Sequence, residues 1–271
     1  MFGAGSGIRV IGHRGAAGVA PENTLAAIRR GISTGAGADA IEVDVHLTRD
    51  GHLVLLHDDT VDRTTDGHGR LDQMSLEEAQ RLDAGFRFTP DLGRSFPYRG
   101  TGIRLPTLDE AAEAAAPLPM VVEVKSPASG LALARWLRGR PDRDRDRFIV
   151  GGFDRAAVAP AAQAAREQCA TRADLTPFIA LGKLGLTAPV RPGVSAFMLP
   201  MRKGPLRLVT RGFVRRAHGL GIGVYVWTIN RPDVMRRLLD LGVDGLITDL
   251  PARARRIIDE RIGVAQPGEF P

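Results

Sequence analysis

The chain has 271 residues, 44% hydrophobic and 25% charged, an ordinary composition for a globular protein with enough apolar mass for a sizeable core. Its formal charge of +6 is spread along the whole length and aromatics make up only 5%, so the basic block and aromatic interleaving of a nucleic-acid surface are both missing and no nucleic-acid partner is expected. No apolar run is long enough for a transmembrane segment, no leader pattern precedes His13, and the single cysteine, Cys169, can form no internal disulfide, so a cytoplasmic protein is expected.

Short β-branched runs alternate with longer Ala/Leu/Arg segments, which predicts βα units around a parallel sheet. The first strand, Ile8 to Gly12, runs straight into His13-Arg14-Gly15, and Pro21-Glu22-Asn23-Thr24 opens the first helix with Asn23 as its cap. Along the second strand, Ala40 to His46, side chains alternate: Glu42, Asp44 and His46 share one face, Ile41, Val43 and Val45 the other. The turn at Arg49-Asp50-Gly51 is too short for a parallel crossover, so Leu53 to His57 must return antiparallel as a hairpin arm. Residues 47–106 then form an insertion between the second barrel strand and the second barrel helix, with a short helix of its own at Ser75-Leu-Glu-Glu78, and are read as a cap over the strand ends. The second barrel helix starts at the capping pattern Thr107-Leu-Asp-Glu110.

Further strands are predicted at Met120 to Lys125, Phe148 to Phe153, Phe178 to Leu181, Ser195 to Leu199, Gly223 to Thr228 and Gly245 to Thr248. Helices are predicted after Gly130, Arg155, Leu206 and Pro232 and through Ala252 to Arg261, before a Gly- and Pro-rich tail, and the Ala-rich stretch around Cys169 also reads as helical. With the hairpin arm set aside, eight strands remain. The expected fold class is α/β, a (β/α)8 TIM barrel forming one domain over residues 1–271.

Barrel active sites lie at the carboxyl ends of strands, where His13 and Arg14 fall. Two carboxylates inside an apolar strand cost several kcal/mol each unless paired, so Glu42 and Asp44 call for a metal, basic partners or an open cleft. Met120-Val-Val-Glu-Val-Lys125 repeats the pattern, with Glu123 and Lys125 on one face. Only Lys125, Lys183 and Lys203 are lysines, which makes a lysine in this strand informative. Three acids converging on adjacent strand ends are hard oxygen ligands suited to Mg²⁺ or Ca²⁺. With His13 and His57 for proton transfer and Arg14 and Lys125 for an anion, the set fits phosphoester hydrolysis.

The motifs His13-Arg14-Gly15, Pro21-Glu22-Asn23-Thr24, Glu42-Val-Asp44-Val, Thr48-Arg-Asp50-Gly51, His57-Asp58, Arg63-Thr64-Thr65, Pro106-Thr107-Leu108, Glu123-Val-Lys125 and Trp227-Thr228 with Asn230 together resemble the glycerophosphodiester phosphodiesterases over residues 8 to about 251. The resemblance implies a divalent ion and cleavage of a glycerophosphodiester to glycerol 3-phosphate and an alcohol. It implies Glu42, Asp44 and Glu123 as metal ligands, His13 and His57 as the acid and base pair, Arg14 and Lys125 as phosphate contacts, and Trp227 packed against the glycerol. Phe153 reads as packing, His46 as support for the site or part of the cap, and His52, His68 and His218 as turn or surface residues. Glu22 either orients Arg14 or starts a helix, and Asp249 either hydrogen-bonds near the pocket or caps the last helix.

A glycoside hydrolase using Glu42 and Glu123 leaves both histidines and Lys125 without a task, and two Trp and two Tyr are few aromatics for a sugar cleft. A binding module without catalysis needs the anion site but not the histidines. A lysophospholipase D acting on lysolipids is the nearer alternative, with Phe86, Phe88, Phe96 and Tyr98 of the cap as its apolar groove. Sequence does not fix the oligomeric state.

Overall fold

The computed structural model describes residues 2–33 and 37–263, so the Gly- and Pro-rich tail lies outside the described residues. Strand β1 (Arg9–Gly12) leads through the His-Arg-Gly turn to helix α1 (Leu25–Ile32) and β2 (Ala40–Leu47). The chain turns back as β3 (Leu53–Leu55), passes α2 (Leu76–Gln80), and re-enters the alternation with α3 (Leu108–Ala114) and β4 (Met120–Val124). There follow α4 (Pro127–Arg138), α5 (Asp142–Arg145), β5 (Phe148–Gly151), α6 (Arg155–Ala162), β6 (Glu167–Cys169), α7 (Arg172–Gly182) and β7 (Val194–Pro200). A small hairpin, β8 (Arg202–Lys203) with β9 (Leu206–Arg207), precedes α8 (Arg211–His218), β10 (Gly223–Trp227), α9 (Pro232–Asp240), β11 (Gly245–Thr248) and α10 (Pro251–Ile262).

Eight of these strands form a closed parallel ring in the order β1, β11, β10, β7, β6, β5, β4, β2, closed by Ile11 pairing with Ala40. This is a (β/α)8 barrel. Strand alternation sorts its side chains into two layers. Ile11, Ala40, Val121, Ile149, Cys169, Ala196, Tyr225 and Ile247 fill the interior, while Ile41, Val43, Val45, Val122 and Val124 pack outward against the helices. Apolar filling of the interior leaves only the strand ends for polar groups.

β3 pairs antiparallel with β2, as the short Asp-Gly turn requires. Gly51 takes a φ of +88°, open to glycine without strain, and Asp50 accepts hydrogen bonds from the Thr48 hydroxyl and the Leu76 N–H, anchoring the turn to the start of α2. Residues between β2 and α3 enclose a small core of their own built on Val54, Leu56, Val61, Leu71 and Leu105. Both predicted capping boxes are formed, Ser75 with Glu78 and Thr107 with Glu110.

Three expectations about elements are corrected. The stretch at Phe178 to Leu181 is helical, part of α7; Phe178 is buried edge-on against Phe197 and Phe213, so its apolar run is a helix face rather than a strand. The barrel strand in that unit is instead β6, in the segment around Cys169 that reads as helical in sequence. Its three residues are too few to show a period of two, and the alanines flanking them mimic a helix. Third, the cap of α1 is Thr24, whose hydroxyl accepts from the Ala27 N–H at 3.2 Å; Asn23 sits one residue outside the helix with a φ of +55° and is used elsewhere.

Candidate active site

The β2–β4 register sets Asp44 beside Glu123, so two acids from neighbouring strands meet at the carboxyl end of the barrel with Glu42 just below on the same face. Oxygens of Glu42, Asp44 and Glu123 lie within 4.8 Å of one another. Glu42 and Asp44 are 7% and 2% exposed, so their charges must be answered by neighbours rather than water. Lys125 Nζ bridges Asp44 Oδ1 at 2.6 Å and Glu123 Oε1 at 2.5 Å. Arg14 places its Nε 3.3 Å from Asp44 Oδ2 and donates its backbone N–H to Glu42 Oε2 at 2.9 Å. Asn23 clamps Asp44 from below, its Nδ2 donating to Oδ2 at 2.8 Å and its Oδ1 accepting the Asp44 N–H at 3.1 Å.

The electrostatics follow from this layout. Burial alone would raise the pKa of Asp44, but the Lys125 and Arg14 charges outweigh it and hold the carboxyl below its usual range. Glu42 has no comparable side-chain cation, and burial together with the Asp44 charge pushes it up to about 7. Three carboxylates thus face two cations, and the cluster retains an affinity for further positive charge. All-oxygen donors of this kind fit a hard divalent cation.

The two histidines are oriented alike. His13 Nδ1 lies 2.6 Å from Asp249 Oδ1, and His57 Nδ1 lies 2.6 Å from Asp58 Oδ1. A carboxylate can only accept, so each Nδ1 carries its proton and each Nε2 is left to exchange one. Burial works against a charged His13, yet the Asp249 hydrogen bond and the Glu42 charge prevail and raise its pKa. Asp249 is itself fixed by Asn230, whose Nδ2 donates to Oδ2 at 2.6 Å. Asp58 is steadied by Arg63, whose Nε donates to Oδ2 at 2.5 Å; burial would raise its pKa, but Arg63 and His57 bring it down to about 2. Arg63 also grips both oxygens of Glu22, at 2.8 and 2.7 Å, and Glu22 accepts from Arg14 Nη1 at 2.7 Å. A continuous chain of charge-assisted hydrogen bonds therefore runs from His57 through Asp58, Arg63 and Glu22 to Arg14.

All eight predicted site residues, His13, Arg14, Glu42, Asp44, His57, Glu123, Lys125 and Trp227, line one pocket of about 130 Å³. Trp227 forms part of its wall edge-on to Phe153, with ring centroids 5.8 Å apart, so Phe153 belongs to the pocket as well as to packing. Cys169 contributes to the floor as a thiol whose pKa burial pushes up, leaving it inert. His46 supports the site: burial holds its pKa down, and its Nε2–H donates to the His57 carbonyl at 3.1 Å. His218 caps the opposite side of the structure, 2.7 Å from Asp244. Phe88 and Tyr98 pack on each other, and Arg99 lies over both Phe86 and Phe96; none of these four rings lines the pocket. The contributions of Asn230, Asp58 and Arg63 went unassigned in the sequence, though each lies inside or next to a motif singled out there.

A barrel of this form with this chemistry at its strand ends is the architecture of a phosphoric diester hydrolase. The chain belongs to the glycerophosphoryl diester phosphodiesterase family, whose model matches residues 13–253. It is 33% identical over 251 residues to a glycerophosphodiester phosphodiesterase of Caldanaerobacter subterraneus subsp. tengcongensis, covering 89% of this chain and 94% of the relative. Among solved structures it resembles an Oleispira antarctica phosphodiesterase in complex with the product sn-glycerol-3-phosphate, at 26% identity and a TM-score of 0.71, covering 93% of this chain and 96% of that one. A glycerophosphodiester phosphodiesterase from Agrobacterium tumefaciens, also 26% identical, superposes with a TM-score of 0.69 over 92% of this chain and 99% of that one. Among the described residues, no helix is long and apolar enough to cross a membrane.

Proposed function

We propose that the protein hydrolyses glycerophosphodiesters to glycerol 3-phosphate and an alcohol, with Mg²⁺ or Ca²⁺ held by Glu42, Asp44 and Glu123. The observation that carries this reading is the convergence, in one pocket, of a carboxylate triad, two cations and two histidines each oriented by its own acid. In this reading the whole chain is one catalytic domain and residues 47–106 are its cap.

Bound at the triad, a divalent ion supplies positive charge to the phosphoryl oxygens. Arg14 and Lys125, held at the rim of the triad by Asp44 and Glu123, add to that field and orient the phosphodiester. One histidine Nε2 takes the proton of the attacking oxygen, and the other returns a proton to the departing alkoxide. Asp249 and Asp58 stabilise whichever imidazole is protonated and keep each ring aimed into the pocket. Trp227 and Phe153 offer an apolar wall to the glycerol carbons.

The test is release of choline and glycerol 3-phosphate from glycerophosphocholine, with Mg²⁺ or Ca²⁺ and after removal of metal by EDTA. Turnover that requires the ion is expected; equal rates after complete metal removal would exclude the metal's role, and no turnover under any condition would exclude the substrate. A second measurement identifies the part His13 plays. Asp249→Asn keeps a side-chain oxygen able to accept but removes the negative charge that raises the His13 pKa, so His13 should lose its proton at lower pH. If His13 is the acid, the alkaline limb of the pH–rate profile moves to lower pH; if it is the base, the acid limb does. A profile in which neither limb moves would remove His13 from proton transfer.

A further inference from the structure

Cations are spread along the whole chain, but acids are not. Between Asp174 and Asp233, residues 175–232 hold nine Lys or Arg and no acid, where the chain's average of 31 acids in 271 residues would put about six or seven. Asp174 itself is buried between Arg155 and Arg191 and offers no charge beyond them. Two exposed loops of this stretch meet on one rim of the barrel. The first, Lys183-Leu184-Gly185-Leu186, follows α7 and is tied back by the Leu186 N–H, which donates to the Leu181 carbonyl at 3.0 Å. The second is the β8–β9 hairpin, closed by pairing of Arg202 with Arg207 and of Lys203 with Leu206. Lys183, Lys203 and Leu206 line one groove of about 530 Å³, which brings the two loops side by side.

Each loop sets leucine beside its cations. Leu184 is 74% exposed, Leu186 55% and Leu206 37%, so these side chains fill no core. Among the described residues, no carboxylate pairs with Lys183, Arg202, Lys203 or Arg207. A single exposed leucine needs no explanation, but three on two adjoining loops with four unanswered cations form a surface of one chemistry. Nucleic acid would satisfy the cations, yet it would leave the leucines in water and would find no aromatic ring in either loop on which to stack a base. A bilayer containing anionic lipid answers both, with head groups on the ammonium and guanidinium groups and the acyl boundary around the leucines. We propose that these two loops form a docking surface for an anionic lipid bilayer. The mouth of the catalytic pocket lies beside it, because Phe153 and Trp227 line both that pocket and the groove between the loops. The docking surface stands apart from the phosphodiesterase reading, since a water-soluble diester reaches the pocket without a bilayer.

The experiment measures co-sedimentation of the full chain with vesicles of phosphatidylcholine alone and with about one third phosphatidylglycerol, at about 0.1 M salt. A Lys or Arg brought to an anionic surface is worth about fivefold in partition, so the mixed vesicles should bind at least about tenfold more protein than the neutral ones. Lys203→Glu combined with Arg207→Glu should remove that preference. Leu184→Ser combined with Leu186→Ser should lower binding to the mixed vesicles by at least about tenfold, because two buried leucines return to water. Leu184→Trp should bind as the wild type does, and its emission should shift to the blue on mixed vesicles as the ring leaves water. None of these residues lines the catalytic pocket and all are exposed, so every variant should keep glycerophosphocholine turnover in solution within about twofold. Equal binding to neutral and mixed vesicles would overturn the proposal. So would binding that charge reversal abolishes while the serine variant and the Leu184→Trp emission show no change, the result for a nucleic acid or acidic protein surface. Absence of turnover in the wild type would overturn the phosphodiesterase reading alone and leave the docking surface standing.

Discussion

His13→Ala should lower kcat by about 10²–10⁴-fold, the usual contribution of one positioned proton-transfer group, and His57→Ala should do the same. The fold should survive both. Removing the His13 ring leaves Asp249 with its Asn230 hydrogen bond, so the cost is that of one partly buried hydrogen bond, about 1–3 kcal/mol. Metal binding, followed by the rise in melting temperature on adding Mg²⁺ or Ca²⁺, should stay intact in both variants, since neither imidazole belongs to the carboxylate triad. The two variants should part company on a p-nitrophenyl glycerophosphodiester, whose leaving group departs without a proton. The variant lacking the general acid should recover most of its rate on that substrate, whereas the variant lacking the base should not. Either variant turning over glycerophosphocholine within a few-fold of the wild type would remove that histidine from the chemistry. Failure of both to recover would mean that neither protonates the leaving group.

How far these roles were legible in the sequence depends on the distance over which each is built. The parity of Ala40 to His46 and of Met120 to Lys125 is local, and it places Glu42, Asp44, Glu123 and Lys125 on the inner face before any tertiary contact is known. The Asp-Gly turn is equally local and explains why one stretch supplies two acids and a histidine. By contrast, the partner of His13 is 236 residues away at Asp249, and the grip of Arg63 on Glu22 spans 41 residues. No spacing rule links such pairs, so Asp249 and Glu22 could be read only as residues with two possible uses. Asn23 shows a different limit: a helix-start motif offers several side chains able to cap, and the backbone decides that Thr24 does so while Asn23 turns to Asp44. The shortest barrel strand, Glu167–Cys169, escapes because burial inside the barrel, rather than propensity, makes it a strand.

The second large effect is expected at the carboxylate triad, and the choice of variant decides what is learned. Asp44→Ala would strip a shared partner from Lys125 and Arg14, leaving Lys125 to Glu123 and Arg14 to Glu22, and breaking buried ion pairs from one side costs up to about 3–5 kcal/mol. Loss of activity there would mix lost folding with lost metal. Glu123→Gln is the sharper substitution. It keeps the shape of the side chain, removes one negative ligand, and leaves Lys125 paired with Asp44 at 2.6 Å. Its melting temperature without metal should therefore stay within a few degrees of the wild type. In the wild type, an ion at about 100 times its dissociation constant should stabilise the fold by about 2.7 kcal/mol, read as a thermal shift. In Glu123→Gln that shift should need at least about tenfold more ion, because affinity follows the ligand charge count, and activity should return in parallel as the ion is raised. A variant with wild-type ion dependence would take Glu123 out of the site. A wild type whose melting temperature ignores Mg²⁺ and Ca²⁺ would mean that Lys125 and Arg14 already satisfy the cluster.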